Sequence, residues 1–294
     1  MTATESPGKP PRTFVVAGAG YTGARVAKRL AAHGSVIGLT SKAHKFDFPA
    51  PYDVIYLVPP PATGATDPRI ERFLGALPAA PGRVVYISTT GVYGDAGGGT
   101  VTEDTPPAPA TDRAQRRLAA ETALRAWCEP RKIEWVILRV PAIYGPGRLP
   151  LDRLKRGEPA LADSEAGPGN RIHVEDLADI CVAALLQPQM RNRIYNVGDG
   201  DHTTSTAFLG LVAQLAGLPA PPQLPLTQLQ ALKSAVASSF LSESRRVDTA
   251  RLRQELGFRP RYPTAEAGIQ ASLSDASDDK SAERPPLPRP LRVT

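Results

Sequence analysis

The chain carries only two cysteines, Cys128 and Cys181, and four histidines. That scarcity excludes a disulfide framework and leaves no metal-ligand spacing, so no metal centre is expected. Both cysteines fall in helical patterns and are expected as small buried residues. Long apolar runs are missing as well. Nothing approaches the length of a membrane span, and the opening MTATESPGKPPR has no apolar leader stretch. No membrane partner and a cytoplasmic setting are therefore expected. Charge of a single sign is also missing: the net charge is +6, but basic residues alternate with acidic ones. The densest cluster, RAQRR at 113–117, reads as a solvated helix face, and nucleic acid is not an expected partner.

What is present is the composition of a folded chain. Its 294 residues are 41% hydrophobic and 22% charged, enough for one sizeable core or a core with a smaller annexe. Many of the 31 prolines sit near the two ends. The segments 1–12 and 274–294 are expected to be disordered tails.

Between the ends, apolar strands alternate with helices. TFVVA, SVIGLT, YDVIYLV, RVVYIS, EWVILRV and RIYNVG read as strands. YTGARVAKRLAAHG, RIERFLGAL, DRAQRRLAAETALRAWC and VEDLADICVAALL read as helices, the first stopping at Gly34. Strands apolar along their whole length imply a parallel sheet covered on both faces. Only SKAHKFDFPAP separates the second and third strands, too little for the usual strand-and-helix excursion.

The first strand ends in GAGYTG, with Gly18, Gly20 and Gly23 in G-x-G-x-x-G spacing. Such a turn lets the backbone approach a diphosphate while the following helix offers free N–H groups, here those of Tyr21 and Thr22. Its place between the first strand and the first helix is the context that gives the pattern meaning. An acidic residue after the second strand would select NAD; here Thr40, Ser41 and Lys42 stand there, suited to a 2′-phosphate and so to NADP. A solvated surface lysine is the alternative for Lys42.

GAGYTG, STTGVYGD, LRVPAIYGPGR, RIHVEDLAD and YNVGDG occur in an order that resembles the extended short-chain dehydrogenases/reductases, the NAD-dependent epimerase/dehydratase group. VDTARLRQELGFRPRYPTAEAGI resembles that family's C-terminal ending, so the likeness covers roughly residues 13–270. It implies an α/β fold: a Rossmann-type doubly wound parallel sheet with a small C-terminal substrate lobe. The expected division is 13–145 plus 172–199 for the cofactor-binding core, and 146–171 plus 200–270 for the lobe. A homodimer through the two helices flanking the central strands, including the DRAQRRLAAE helix, is a further implication.

The resemblance also implies site residues. Thr89 takes the place of the family's catalytic hydroxyl, with Ser88 beside the cofactor. Pro59 and Pro60 follow the third strand along the adenosine half; Pro141, Ala142 and Ile143 line the nicotinamide side. The family's P-x-x-x-Y-x-x-x-K, anchored on Glu121, places Arg113 where the tyrosine belongs and Arg117 where the lysine belongs. Arg117 could replace the lysine electrostatically, but a guanidinium cannot trade protons near neutral pH. Arg113 is then either an anion holder or a solvated helix residue. Tyr93 is a substitute acid/base or a structural tyrosine. Arg148, Arg171 and His173 border the presumed substrate cleft; loop polarity and helix packing are their alternatives. Two functions stay open: an NAD(P)-dependent oxidoreductase acting on a small carbonyl or sugar-like substrate, and a non-catalytic dinucleotide-binding sensor or assembly protein.

Overall fold

A computed structural model describes residues 12–39, 46–232 and 243–278. Six strands form one parallel sheet: β1 (Thr13–Ala17), β2 (Ser35–Leu39), β3 (Tyr52–Tyr56), β4 (Arg83–Thr89), β6 (Glu134–Val140) and β10 (Arg193–Asn196). Their spatial order is β10-β6-β4-β3-β1-β2. The other strands are short: β5 (Thr100–Val101) pairs with β12 (Arg246–Val247), β7 (Ala142–Tyr144) with β9 (Arg171–His173), and β8 (Ala160–Leu161) with β11 (Gln223–Leu224).

The period of two along each central strand builds two cores at once. Phe14, Val16, Val85, Ile87, Val136 and Leu138 face one side, where α1 (Tyr21–Leu30) and α5 (Val174–Leu186) cover them. Val15, Val54, Val84, Tyr86 and Ile137 face the other, beneath α2 (Pro68–Gly75) and α3 (Asp112–Cys128). Both cysteines are buried in these cores. Helix α1 lies along α5 through Val26 and Leu30, and the pair is stitched outside by Arg25 and Arg29 on Glu175.

A third apolar cluster joins Tyr144 to α4 (Leu151–Lys155), α6 (Ser205–Leu215) and the helix Ala265–Asp278. That last helix continues into the stretch from 274 onward where a disordered tail was expected. The remainder of both expected tails, 1–11 and 279–294, lies outside the described residues. No helix among the described residues is long and apolar enough to cross a membrane.

One local expectation fails. Helix α1 ends at Leu30 with Ala31 as its cap in the right-handed region, so Gly34 is not its left-handed stop. A Cβ on Gly34 would lie 2.1 Å from the Arg12 carbonyl oxygen, so close backbone approach at the mouth of β2 is what requires glycine there.

Candidate functional site

The chain runs from β1 to β2 on one side and then returns to β3 on the other side of β1. This reversal opens a crevice at the carboxyl ends of β1 and β3, where doubly wound sheets hold ligands. The glycine loop fills its floor. Gly18 has φ +96°, and a Cβ there would press at 3.0 Å on Leu57 C and Val58 N. The loop therefore touches the chain that leads to Pro59 and Pro60. A Cβ on Gly23 would lie 2.2 Å from Gly18 O, which lets α1 start immediately after the turn.

Gly20 differs from both: a Cβ there would meet nothing within 4 Å among the described residues, and the residue is exposed. As N-cap it offers no side chain to the first turn of α1, which also lacks an acidic residue. The Tyr21 and Thr22 amides thus begin a helix whose positive end is left to an outside anion. Tyr21 closes one side, donating its hydroxyl to Pro146 O at 2.9 Å. Its ring is held between the guanidiniums of Arg25, at 4.3 Å, and Arg148, at 4.0 Å. Arg148, expected at the substrate cleft, is therefore placed over the glycine loop. Thr40, Ser41 and Lys42 lie outside the described residues.

At the end of β4, Thr89 is half-buried and its Oγ1 accepts from Gly91 N at 3.1 Å. That geometry leaves the hydroxyl hydrogen to donate. Ser88, expected beside the cofactor, turns the other way: it is buried and donates to Glu121 Oε1. Glu121 is in turn forked by Arg139, Nε at 3.1 Å and the terminal nitrogen at 2.7 Å. Arg139 stacks at 4.8 Å on Tyr93, whose hydroxyl donates to Asn196 Oδ1 at 2.7 Å. Tyr93 is thus enclosed in the core, where burial raises its pKa, and an acid/base role has no open path to it.

The stretch expected to be a solvated face, RAQRR, is not one. Arg116 is 6% exposed and donates to Gly64 O at 2.7 Å. Arg117 donates to Ile87 O at 2.8 Å and to the Tyr86 hydroxyl at 3.3 Å, two residues before Thr89. Burial pushes Tyr86 up to about 12. Arg113 is half-buried, and burial lowers its pKa; Glu243 opposes that, while Arg116, Arg117 and Arg245 reinforce it.

On the lobe side, Thr89 pairs with Val140 in register, so Pro141, Ala142 and Ile143 leave β6 beside it and enter β7. Arg171 and His173 stand opposite on β9. Both face inward, contrary to a place in the cleft. Arg171 donates to Thr203 O and Thr204 O and stacks on Phe208. His173 has no exposed surface; its Nδ1 accepts from Glu175 N at 3.3 Å and caps α5. Burial pushes it down to about 4, so it is neutral. Among the described residues no three His, Cys, Asp or Glu side chains converge as metal ligands.

Residues 70–198 match the NAD dependent epimerase/dehydratase family. Among solved structures, a functionally unknown conserved protein from Silicibacter pomeroyi DSS matches the fold at a TM-score of 0.77 and 29% identity over 90% of this chain and 99% of that one. Human epimerase family protein SDR39U1 (isoform 2), solved with NADPH, matches at a TM-score of 0.70 over 90% of this chain and 99% of that one. Its 18% identity carries the fold alone. Protein YeeZ of Escherichia coli (strain K12) is 35% identical over 182 residues, 62% of this chain and 59% of that protein. The chain thus spans less than two thirds of the length of this curated relative.

The fold brings together the glycine loop, the segment after β3, Thr89, Arg113, Arg117 and the Pro141–Ile143 segment at one end of the sheet. It withdraws Ser88, Tyr93, Arg171 and His173 into packing roles. The Glu121–Arg139 pair was not foreseen, although an arginine inside the apolar run VILRV is its signal. The roles of Arg245 and Glu243 carried no such mark.

Proposed function

We propose that the chain is an NAD(P)-dependent oxidoreductase of the epimerase/dehydratase type, preferring NADP and acting on a small carbonyl or sugar-like substrate. The observation that carries this is Gly20: nothing among the described residues needs it to be glycine, whereas an approaching diphosphate does. A bound nicotinamide dinucleotide would supply the hydride acceptor or donor. The first-turn amides of α1 hold the diphosphate, and Pro141, Ala142 and Ile143 exclude water on the lobe side. The Thr89 hydroxyl donates to the substrate oxygen, and Arg117, braced on Ile87 O, fixes positive charge beside it. The family's Tyr-x-x-x-Lys is represented by Arg113 and Arg117, so the proton comes from water and not from α3.

Calorimetric titration of NAD and NADPH tests the reading. The wild type is expected to bind NADPH more tightly than NAD, and Gly20→Asp to bind neither. With NADPH saturating, a carbonyl panel should yield turnover that Thr89→Val lowers by about a hundredfold. One observation favours the second reading, a sensor or assembly protein: Tyr93, the one substitute acid/base the sequence offers, is buried. NADPH binding without turnover on any carbonyl would select it.

A further inference from the structure

The carboxyl end of β10 opens on a recess of about 210 Å³. It lies apart from the glycine loop: from β1 to β10 is four strand spacings, about 19 Å across the sheet. The loop after β10, the β5–β12 pair and the helix Ala250–Leu256 wall it. Its charge is unbalanced. Arg251 of that helix is engaged by carboxylates, Asp104 at 2.9 and 2.8 Å and Glu103 at 3.8 Å. Arg253, two residues on, has a guanidinium with no ion pair or hydrogen bond among the described residues. Its Nη1 lies 3.8 Å from where a Cβ on Gly200 would stand, so the absence of a side chain there lets the guanidinium rest over the loop. Arg246 gives one N–H to Gly98 O at 2.6 Å, a neutral acceptor that leaves its charge standing. The one carboxylate lining the recess among the described residues, Asp248, is turned to its own chain and accepts from Ala250 N at 2.6 Å.

Neutral donors stand beside the two arginines. Thr100 adds an exposed hydroxyl. Thr249 is 4% exposed, and its side chain does not cap the helix it precedes, so that hydroxyl is not committed there. His202, held by its Nδ1 on Gly169 O at 3.1 Å, closes the lobe side. Two guanidinium forks and two hydroxyls outnumber what the two oxygens of a carboxylate take. They suit the three oxygens and nearly two charges of a phosphate monoester. At about 30 Å³ per water the recess holds about seven waters, which leaves room for a phosphate and a short carbon body. We infer that this recess binds a phosphate monoester, with Arg246 and Arg253 holding the phosphate. The site requires neither the cofactor crevice nor the oxidoreductase reading. Its ligand ties together the loop after β10, β12 and the helix Ala250–Leu256.

Inorganic phosphate and glycerol 3-phosphate are titrated calorimetrically into the full chain, with glycerol as the neutral control and malonate as the carboxylate control. Both phosphates are expected to bind and glycerol not to, and malonate should bind at least about tenfold more weakly. Arg253→Met should weaken phosphate by about tenfold. Gly20→Asp in the glycine loop, and Arg125→Met on the exposed side of α3, should each leave phosphate affinity within about twofold. In the wild type, phosphate at ten times its Kd should slow hydrogen exchange at the Arg246, Val247 and Asp248 amides by about tenfold. Loss of phosphate binding in Gly20→Asp assigns the anion to the glycine loop and overturns the proposal. So does equal weakening by Arg125→Met, malonate binding as tightly as phosphate, or unchanged exchange at the three amides of the β12 segment. The exchange measurement decides the matter even if Arg253→Met does not fold.

Discussion

At the scale of single residues, burial has moved two titrating groups in opposite directions. His173 is pushed down to about 4 by its enclosure, with Glu175 opposing and Arg25 and Arg261 reinforcing. In the unfolded chain it titrates near 6.5. Between those values the unfolded chain binds the extra proton, so this residue makes stability rise with pH. Asp199 is raised from 3.8 to about 7, first by burial and then by Asp201, against Arg171 and the amide of Asp201. There the native state keeps a proton that the unfolded chain releases, so its contribution is full below about 3.8 and is lost as pH rises toward 7. The two slopes oppose each other over roughly the same window. The urea midpoint of the wild type is therefore expected to change little between pH 4.5 and 6.5, whereas His173→Asn should lose stability as pH rises and Asp199→Asn should gain it. Parallel slopes in the two variants would contradict the assignment. Neither shift was visible beforehand, because a sequence names a titrating group but not the enclosure that decides its pKa.

At the scale of elements, α3 shows which parts of a structure a sequence announces. Its bounds were legible: Thr111 accepts from Ala114 N at 3.2 Å as an N-cap, and the helix ends at Cys128 before a proline-bearing turn. Its orientation was not. The short stretch 113–117 looks solvated when its charges are counted, yet helical spacing turns Arg113 and Arg117 toward β4 together with Glu121. What fixes the helix on the sheet is Glu121, which takes Ser88 from β4 and Arg139 from β6. The side chains of this ion pair are 4% and 3% exposed, so removal of one partner strands a buried charge. Glu121→Ala is expected to cost about 3–5 kcal/mol in denaturant unfolding. Arg125→Ala, which breaks the exposed Arg125–Glu129 pair on the same helix, should cost less than about 1 kcal/mol. Comparable losses would mean that helix propensity, and not the buried tie, holds α3 in place.

At the scale of the whole molecule, the two parts differ in how they are held, and this governs what could be read in advance. The parallel sheet is buried on both faces, so its strands are unbroken apolar runs and its helices carry regular stripes. The third cluster, around Tyr144, Phe208 and Ile269, has no such signature: its strands are two or three residues long and pair across large stretches of chain. Polar side chains do the joining. Asn170 accepts from Val247 N and donates to Arg245 O, both at 2.8 Å, so one amide aligns β12 for its pairing with β5. Loss of that side chain leaves a half-buried amide and carbonyl without their partners, at about 1–3 kcal/mol. The opening should be local, because β12 is two residues long and pairs with β5 at two positions, flanked by Arg246 N on Gly99 O and Asp248 N on Val101 O. Hydrogen exchange at the Arg246, Val247 and Asp248 amides is therefore expected to accelerate at least about tenfold in Asn170→Ala, while the amides of β1, β4 and β6 keep their protection. An equal acceleration in the central sheet would show that this segment and the core open as one unit, and that no separate latch exists.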